Sequence, residues 1–151
     1  EGYDYFLNID QDVIPPRDII ERLLIHNEKI VTGIYFNPWK REGRERILAT
    51  VWVCPPNKPD KMVAVKEEII AGNNFIKVDS CGSGCLLIHR SVLEKIKFRC
   101  DPKEGPGVDD VFFCMDAKKS GFKIYADTSA KCKHMLIGRT WSWDDMLAGK
   151  A

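Results

Sequence analysis

An apolar run that stops at a pair of acidic residues does most to restrict how this chain can fold. Tyr5-Phe6-Leu7-Asn8-Ile9, within residues 3–9, has the length and character of a buried strand, and it ends at Asp10-Gln11-Asp12. Pro15 and Pro16 follow where a helix can begin, since a first helical turn tolerates proline. Ile19, Ile20, Leu23 and Leu24 then recur at helical spacing until His26-Asn27, and a second strand is expected over residues 30–36. Strand, helix and strand in succession is the α/β signature, and the crossover favours parallel pairing.

Downstream, residues 37–46 are polar and basic and read as an exposed loop. Residues 47–54 and 61–65 read as strands of a meander, separated by the turn-rich stretch 55–60, with a short strand at 75–79. After the turn Gly82-Ser83-Gly84, residues 85–89 form a continuous apolar strand, and Ser91-Val92-Leu93-Glu94 fits a capping box. A charged loop rich in Pro and Gly covers 99–107. Val108, Val111, Phe112 and Met115 then fall at i, i+3, i+4 and i+7, the pattern of an amphipathic helix; Lys118 and Lys119 suit its dipole and Gly121 its C-terminal cap. Strands at 122–126 and 130–135 complete an α/β fold with a mixed sheet. The 151 residues suit one domain, spanning 1–151, with a substantial core.

Charge narrows the partners. The formal net charge is +1, with acids and bases spread along the chain, so no basic patch of the kind that binds nucleic acid or a membrane surface stands out. No apolar run approaches the roughly 20 residues of a transmembrane segment. Cys81 and Cys85 lie four apart, about 13 Å in extended chain, whereas a disulfide needs Cα atoms about 4.4–6.8 Å apart. No C-x-x-C pair is present, and free buried thiols in a reducing cytoplasm are the plain expectation for the six cysteines.

The acidic tripeptide carries the sharpest chemistry. In extended backbone, residues i and i+2 share a side, so Asp10 and Asp12 can face one point and offer a hard oxygen site for Mg²⁺ or Mn²⁺. A strand end punctuated by acids that cap a helix would look the same. Asp109 and Asp110 open the helix at 108, where dipole and free amides favour negative charge; one can cap while the other faces a cleft as a general base, or both can cap. His134 emerges from the last strand and can ligate a metal or simply pack. Glycine at 82 and 84 permits a tight turn or close approach to a ligand.

Taken in order, several segments resemble glycosyltransferases of the GT-A type, particularly the family 2-like group. They are residues 5–12 with Pro15-Pro16 and the following helix, residues 82–90 with Val92-Leu93, Asp109-Asp110-Val111-Phe112-Phe113, residues 117–125, and Lys131-Cys132-Lys133-His134. The resemblance implies that Asp10 and Asp12 are the D-x-D contacts to metal and donor ribose. It implies that Asp110, with Asp109 before it, supplies the catalytic base, and that His134 completes the metal site. Gly82, Ser83 and Gly84 would lie against the donor. Activity would be transfer from a UDP- or GDP-sugar to an acceptor, with Mn²⁺ or Mg²⁺ as cofactor. Where the family has Glu-Asp this chain has Asp-Asp.

The family places its first strands upstream of the D-x-D, and Glu1-Gly2 leads straight into the apolar run, as expected of a fragment. A sheet edge exposed by the missing strands would favour self-association. Trp39 and Trp52 are candidates for stacking on a sugar. Two other readings stand beside the enzyme: an incomplete, non-catalytic domain of the same fold serving as a binding or assembly module, and a small zinc protein using Cys81, Cys85, Cys132 and His134.

Overall fold

The computed structural model describes residues 2–41, 44–58, 61–101, 103, 108–136, 139–141 and 143–144. Strands β1 (Tyr5–Ile9) and β2 (Val13–Ile14) precede helix α1 (Ile19–Leu24); β3 (Ile30–Ile34) then leads through Tyr35 into β4 (Phe36–Arg41) and β5 (Arg44–Ala49). Next come β6 (Val51–Val53), β7 (Val63–Ala64) and α2 (Glu67–Ala71), followed by β8 (Phe75–Val78), β9 (Ser80–Cys81) and β10 (Cys85–His89). The chain ends with α3 (Arg90–Leu93), α4 (Asp109–Lys119), β11 (Ile124–Lys131), β12 (Lys133–Leu136) and β13 (Arg139–Trp141). Among the described residues no helix is long and apolar enough to cross a membrane.

The central sheet is mixed, in the order β1-β10-β3-β11-β8. β1 and β3 run the same way, as the crossover predicts, but they are not neighbours, because β10 lies between them and is antiparallel to both. β11 is parallel to β3 and β8 is antiparallel to β11. Three strands therefore bring their C-terminal ends to one edge, where open α/β sheets place their ligands.

Side chains that alternate along the strands bury both faces. Ile30 and Ile34 of β3, with Leu86 and Ile88 of β10, turn toward Phe113, Cys114 and Ala117 of α4. Val31 and Leu87 turn the other way, toward Ile19 and Leu23 of α1. Helices on both faces of a mixed sheet make this an α/β fold.

Several expectations are corrected. Residues 37–41 and 44–46 are not a loop: β4 and β5 pair from Phe36↔Ala49 to Arg41↔Arg44, with fully buried Phe36 fixing the base of the hairpin. The strand expected over 47–54 breaks at Thr50, whose amide and hydroxyl both donate to the Tyr35 carbonyl. Helix α2 buries only Ile70, too little to leave a readable stripe. The helix after β10 is capped not by Ser91 but by His89, whose Nδ1 accepts the Ser91 amide at 3.1 Å, and Glu94 pairs with Arg90 instead.

Helix α4 buries Phe112, Phe113, Cys114 and Ala117, leaving Val108 and Met115 exposed. Its inner face is rotated because Phe98 stacks on Phe113 at 4.5 Å and draws that side inward. Gly121 does follow the helix with φ +81°, a conformation glycine adopts without strain. β11 runs unbroken through polar residues 127–129 because their groups are matched: Asp127 meets His26 at 2.9 Å and accepts from Ser129, while Thr128 bonds to Asn74. In the expected loops, residues 42–43, 59–60, 102 and 104–107 lie outside the described residues.

β1 stands at the end of the sheet, with Phe6 and Ile9 largely exposed. An edge of this kind recruits strands. A mass that rises with concentration in light scattering, and less steeply for Phe6→Lys, is the expected outcome. A monomer at every concentration would refute self-association through this edge.

Candidate active site at the strand ends

The acidic tripeptide is not extended. Asp10 to Val13 form a tight turn in which the Val13 amide donates to the Asp10 carbonyl at 3.0 Å. The turn is held from the far end of the chain, because β2 pairs with β12 and the Met135 amide donates to the Asp12 carbonyl at 2.8 Å. The two carboxylates therefore do not share a side by strand alternation, and each finds its own partner. The Asn8 side-chain amide donates to Asp10 Oδ1 at 3.1 Å and to the Ser83 carbonyl at 2.8 Å. Asp12 Oδ2 lies 3.3 Å from His134 Nε2.

His134 is buried, and its Nδ1 lies 2.7 Å from the Phe36 carbonyl oxygen. A carbonyl only accepts, so Nδ1 carries the proton. Nε2 therefore faces the Asp12 carboxylate, where a protonated ring donates to it and a neutral ring offers a lone pair to a cation held between the two. Metal-bound histidines commonly donate their other nitrogen to a backbone carbonyl in this way.

Tyr35 was missed from the sequence. It follows β3 directly, is buried, and accepts the Gly84 amide on its hydroxyl at 3.1 Å. Burial, the main cause, holds its phenol well above the usual range. A Cβ on Gly84 would lie 2.7 Å from the Tyr35 ring, and one on Gly82 would strike its hydroxyl. The glycines at 82 and 84 thus make room for Tyr35, a role the turn-or-ligand reading did not contain. The available signal was topological: a residue that ends a strand parallel to β1 must reach the same edge as Asp10.

Asp110 enters this edge from the N-terminus of α4. Burial pushes its carboxyl up, helped by the Asp109 and Asp10 carboxylates and opposed by the Val111 and Ser83 amides. Its Oδ1 is buried with no hydrogen-bond partner among the described residues. Asp109 is exposed and accepts the Asp110 amide at 3.0 Å, so it caps rather than facing the cleft. Of the expected site residues, Asp10, Asp12, Ser83, Asp110 and His134 share one edge, and Asp109 lies at its rim.

Among the described residues no three Asp, Glu, His or Cys side chains already close on one point. The zinc arrangement does not form: Cys81 packs against Cys114 in one core cluster, while Cys85 and Cys132 lie in the other. A cavity of about 380 Å³ is lined by Arg22, His26, Phe75, Asp127 and Ser129, none of them an expected site residue. Asp127 is matched there by His26 and Ser129.

Two outcomes test this geometry. Gly84→Ala should cost about 1–3 kcal/mol of stability through overpacking against Tyr35, read by denaturant unfolding. Asp110→Asn should raise Tm near neutral pH, read by thermal unfolding. The sign follows from the raised carboxyl. Its cost to the fold is absent below the ordinary value of 3.8 and grows as pH rises toward the folded value, so the Tm gain should vanish in acid.

No protein-family model matches the chain, and no curated protein does. Its structure is similar to the crystal structure of A197 from STIV, with 25% sequence identity and a TM-score of 0.56. The match covers 94% of this chain, which spans 63% of the length of that one.

Proposed function

We propose that the chain is the catalytic part of a metal-dependent glycosyltransferase of the GT-A type. It would move a sugar from a UDP- or GDP-sugar donor to an acceptor hydroxyl. The observation that carries this reading is the buried, unpartnered Asp110 oxygen at the strand-end edge that also holds Asp10, Asp12 and His134. An unpaired buried carboxylate oxygen is costly to a fold and suits a general base, whose strength benefits from a raised pKa.

The donor set fits a divalent cation. Asp12 and His134 would hold Mn²⁺ or Mg²⁺, with Asp10 beside them; the carboxylate oxygens suit either ion, and the imidazole would add a nitrogen ligand. When bound, the ion supplies positive charge against the leaving diphosphate. The chain's own residues do the rest. Asp10 and the Gly82-Ser83-Gly84 backbone border the donor, and Asn8 keeps the Asp10 carboxylate oriented. The acceptor oxygen bonds to the anomeric carbon as the bond from that carbon to the phosphate oxygen breaks. That electron pair leaves with the nucleoside diphosphate, and the hydroxyl proton passes to the Asp110 carboxylate.

A second reading, a non-catalytic module of the same fold, draws on one observation: Asp10 is already engaged by Asn8, and no three donors converge among the described residues.

Thermal unfolding with Mn²⁺, with and without UDP or GDP, separates the two. Saturation at about 100 times Kd adds about 2.7 kcal/mol, or roughly 5–10 °C at this size. Wild type should gain that shift and Asp12→Ala should lose it. An equal shift in both, or none in wild type, would count against the enzyme.

A further inference from the structure

Two tryptophans are tied to the strand-end edge without belonging to it. Val51 and Val53 of β6 turn into the main core, which leaves Trp52 on the opposite side, in line with Thr50. Thr50 lines the edge: its Cβ lies 3.2 Å from where a Cβ on Gly82 would sit, beside the Tyr35 hydroxyl. Trp39 belongs to the strand that begins at Phe36, the residue whose carbonyl fixes His134. Strand rise places Trp52 about 7 Å beyond Thr50 and Trp39 about 10 Å beyond Phe36.

The two indoles meet edge to face, with ring centroids 5.6 Å apart and an interplanar angle of 75°. Trp39 nevertheless stays 46% exposed. A lone exposed apolar side chain needs no explanation. An indole held by a second indole, on a hairpin that starts beside the strand-end edge, is a preorganised platform. Its orientation is set before a ligand arrives, which lowers the entropic cost of binding. A flat, exposed indole face matches the apolar C–H face of a pyranose, and the carboxylates of the more distant edge match the hydroxyls of a further sugar unit.

Resting on the glycosyltransferase reading, we infer that Trp39, positioned by Trp52, is the acceptor platform and that the acceptor is an oligosaccharide. One pyranose ring stacks on Trp39 while the chain's end reaches the strand-end edge. A single sugar would not bridge that separation.

Calorimetric titration with cellohexaose, mannohexaose and maltohexaose, in the presence of Mn²⁺ and UDP, tests this. Wild type should bind at least one of the three. Trp39→Ala should weaken that binding by about ten-fold or more, and Trp39→Phe, which keeps an aromatic face, by much less. The Mn²⁺ and UDP thermal shift should be unchanged in both variants, which also reports an intact fold. Equal binding by wild type and Trp39→Ala overturns the platform, as does binding of none of the three while the thermal shift is present. Loss of the thermal shift from wild type, with oligosaccharide binding that still needs Trp39, overturns the transfer reading and leaves the platform standing.

Discussion

The Tyr35 hydroxyl accepts the Gly84 amide in a space that exists because residues 82 and 84 lack side chains. That contact sits between the end of β3 and the start of β10, and much of the strand-end edge is arranged around it. Its carbonyl takes two hydrogen bonds from Thr50, which starts β6 on its way beside β9. Its ring meets the buried His134 edge-on at 5.3 Å. The Gly84 carbonyl, in turn, accepts the Asp10 amide and so sets where the acidic turn begins. One buried phenol thus links four chain segments that carry the candidate chemistry. Because the phenol is buried, its deprotonation is strongly disfavoured even though the Gly84 amide it accepts favours the charged form, and it acts as a fixed strut.

Local patterns were legible where one element buries one stripe or one run. The strand before Asp10, helix α1 and β10 followed from periodicity and apolar content in position, but only β10 is buried almost throughout. Helix α1 buries Ile19 and Leu23, and the strand before Asp10, which reads as buried, leaves Phe6 and Ile9 exposed because it stands at the end of the sheet. Helix α4 was legible in position but not in orientation, since Phe98 comes from outside the helix and its pull is invisible in the helix's own spacing. Residues 37–46 read as a loop because polar and basic residues dominate them, while Phe36 at the base of the hairpin and residues 47–49 of β5 read as strand. The insertion of β10 between β1 and β3 could not be read from local sequence at all. Pairing partners some 80 residues apart leave no periodic trace, and the same is true of the turn at Asp10. Tyr35 escaped notice for a related reason: its meaning depends on glycines nearly 50 residues downstream.

The candidate site was legible as residue types more than as geometry. Asp10, Asp12, Asp110 and His134 do reach one edge, but by routes other than strand alternation. Asp110 illustrates why local consistency fails there. A carboxylate at the N-terminus of a helix is locally favourable, yet burial and two neighbouring carboxylates oppose its charge. Conflict between a local preference and its surroundings is what functional positions tend to retain. Asp127 and Thr128 are matched by contrast: Asp127 has His26 and Ser129, and Thr128 has Asn74. The contrast separates polar groups that complete the fold from those left open at its edge.

The pairing of β2 with β12 gives the acidic turn an unusual dependence on the order in which the chain assembles. Everything from Asp10 to Val13 is in place near the start of the chain, yet the strand that clamps it arrives only at Lys133–Leu136. Contacts of such long range form after the local ones, because loop closure must come first. The edge therefore completes only once the two ends of the described chain have met. A ligand that recognises the finished edge would be blind to partly folded states, so its binding energy would act on the last step of folding rather than on the sheet beneath.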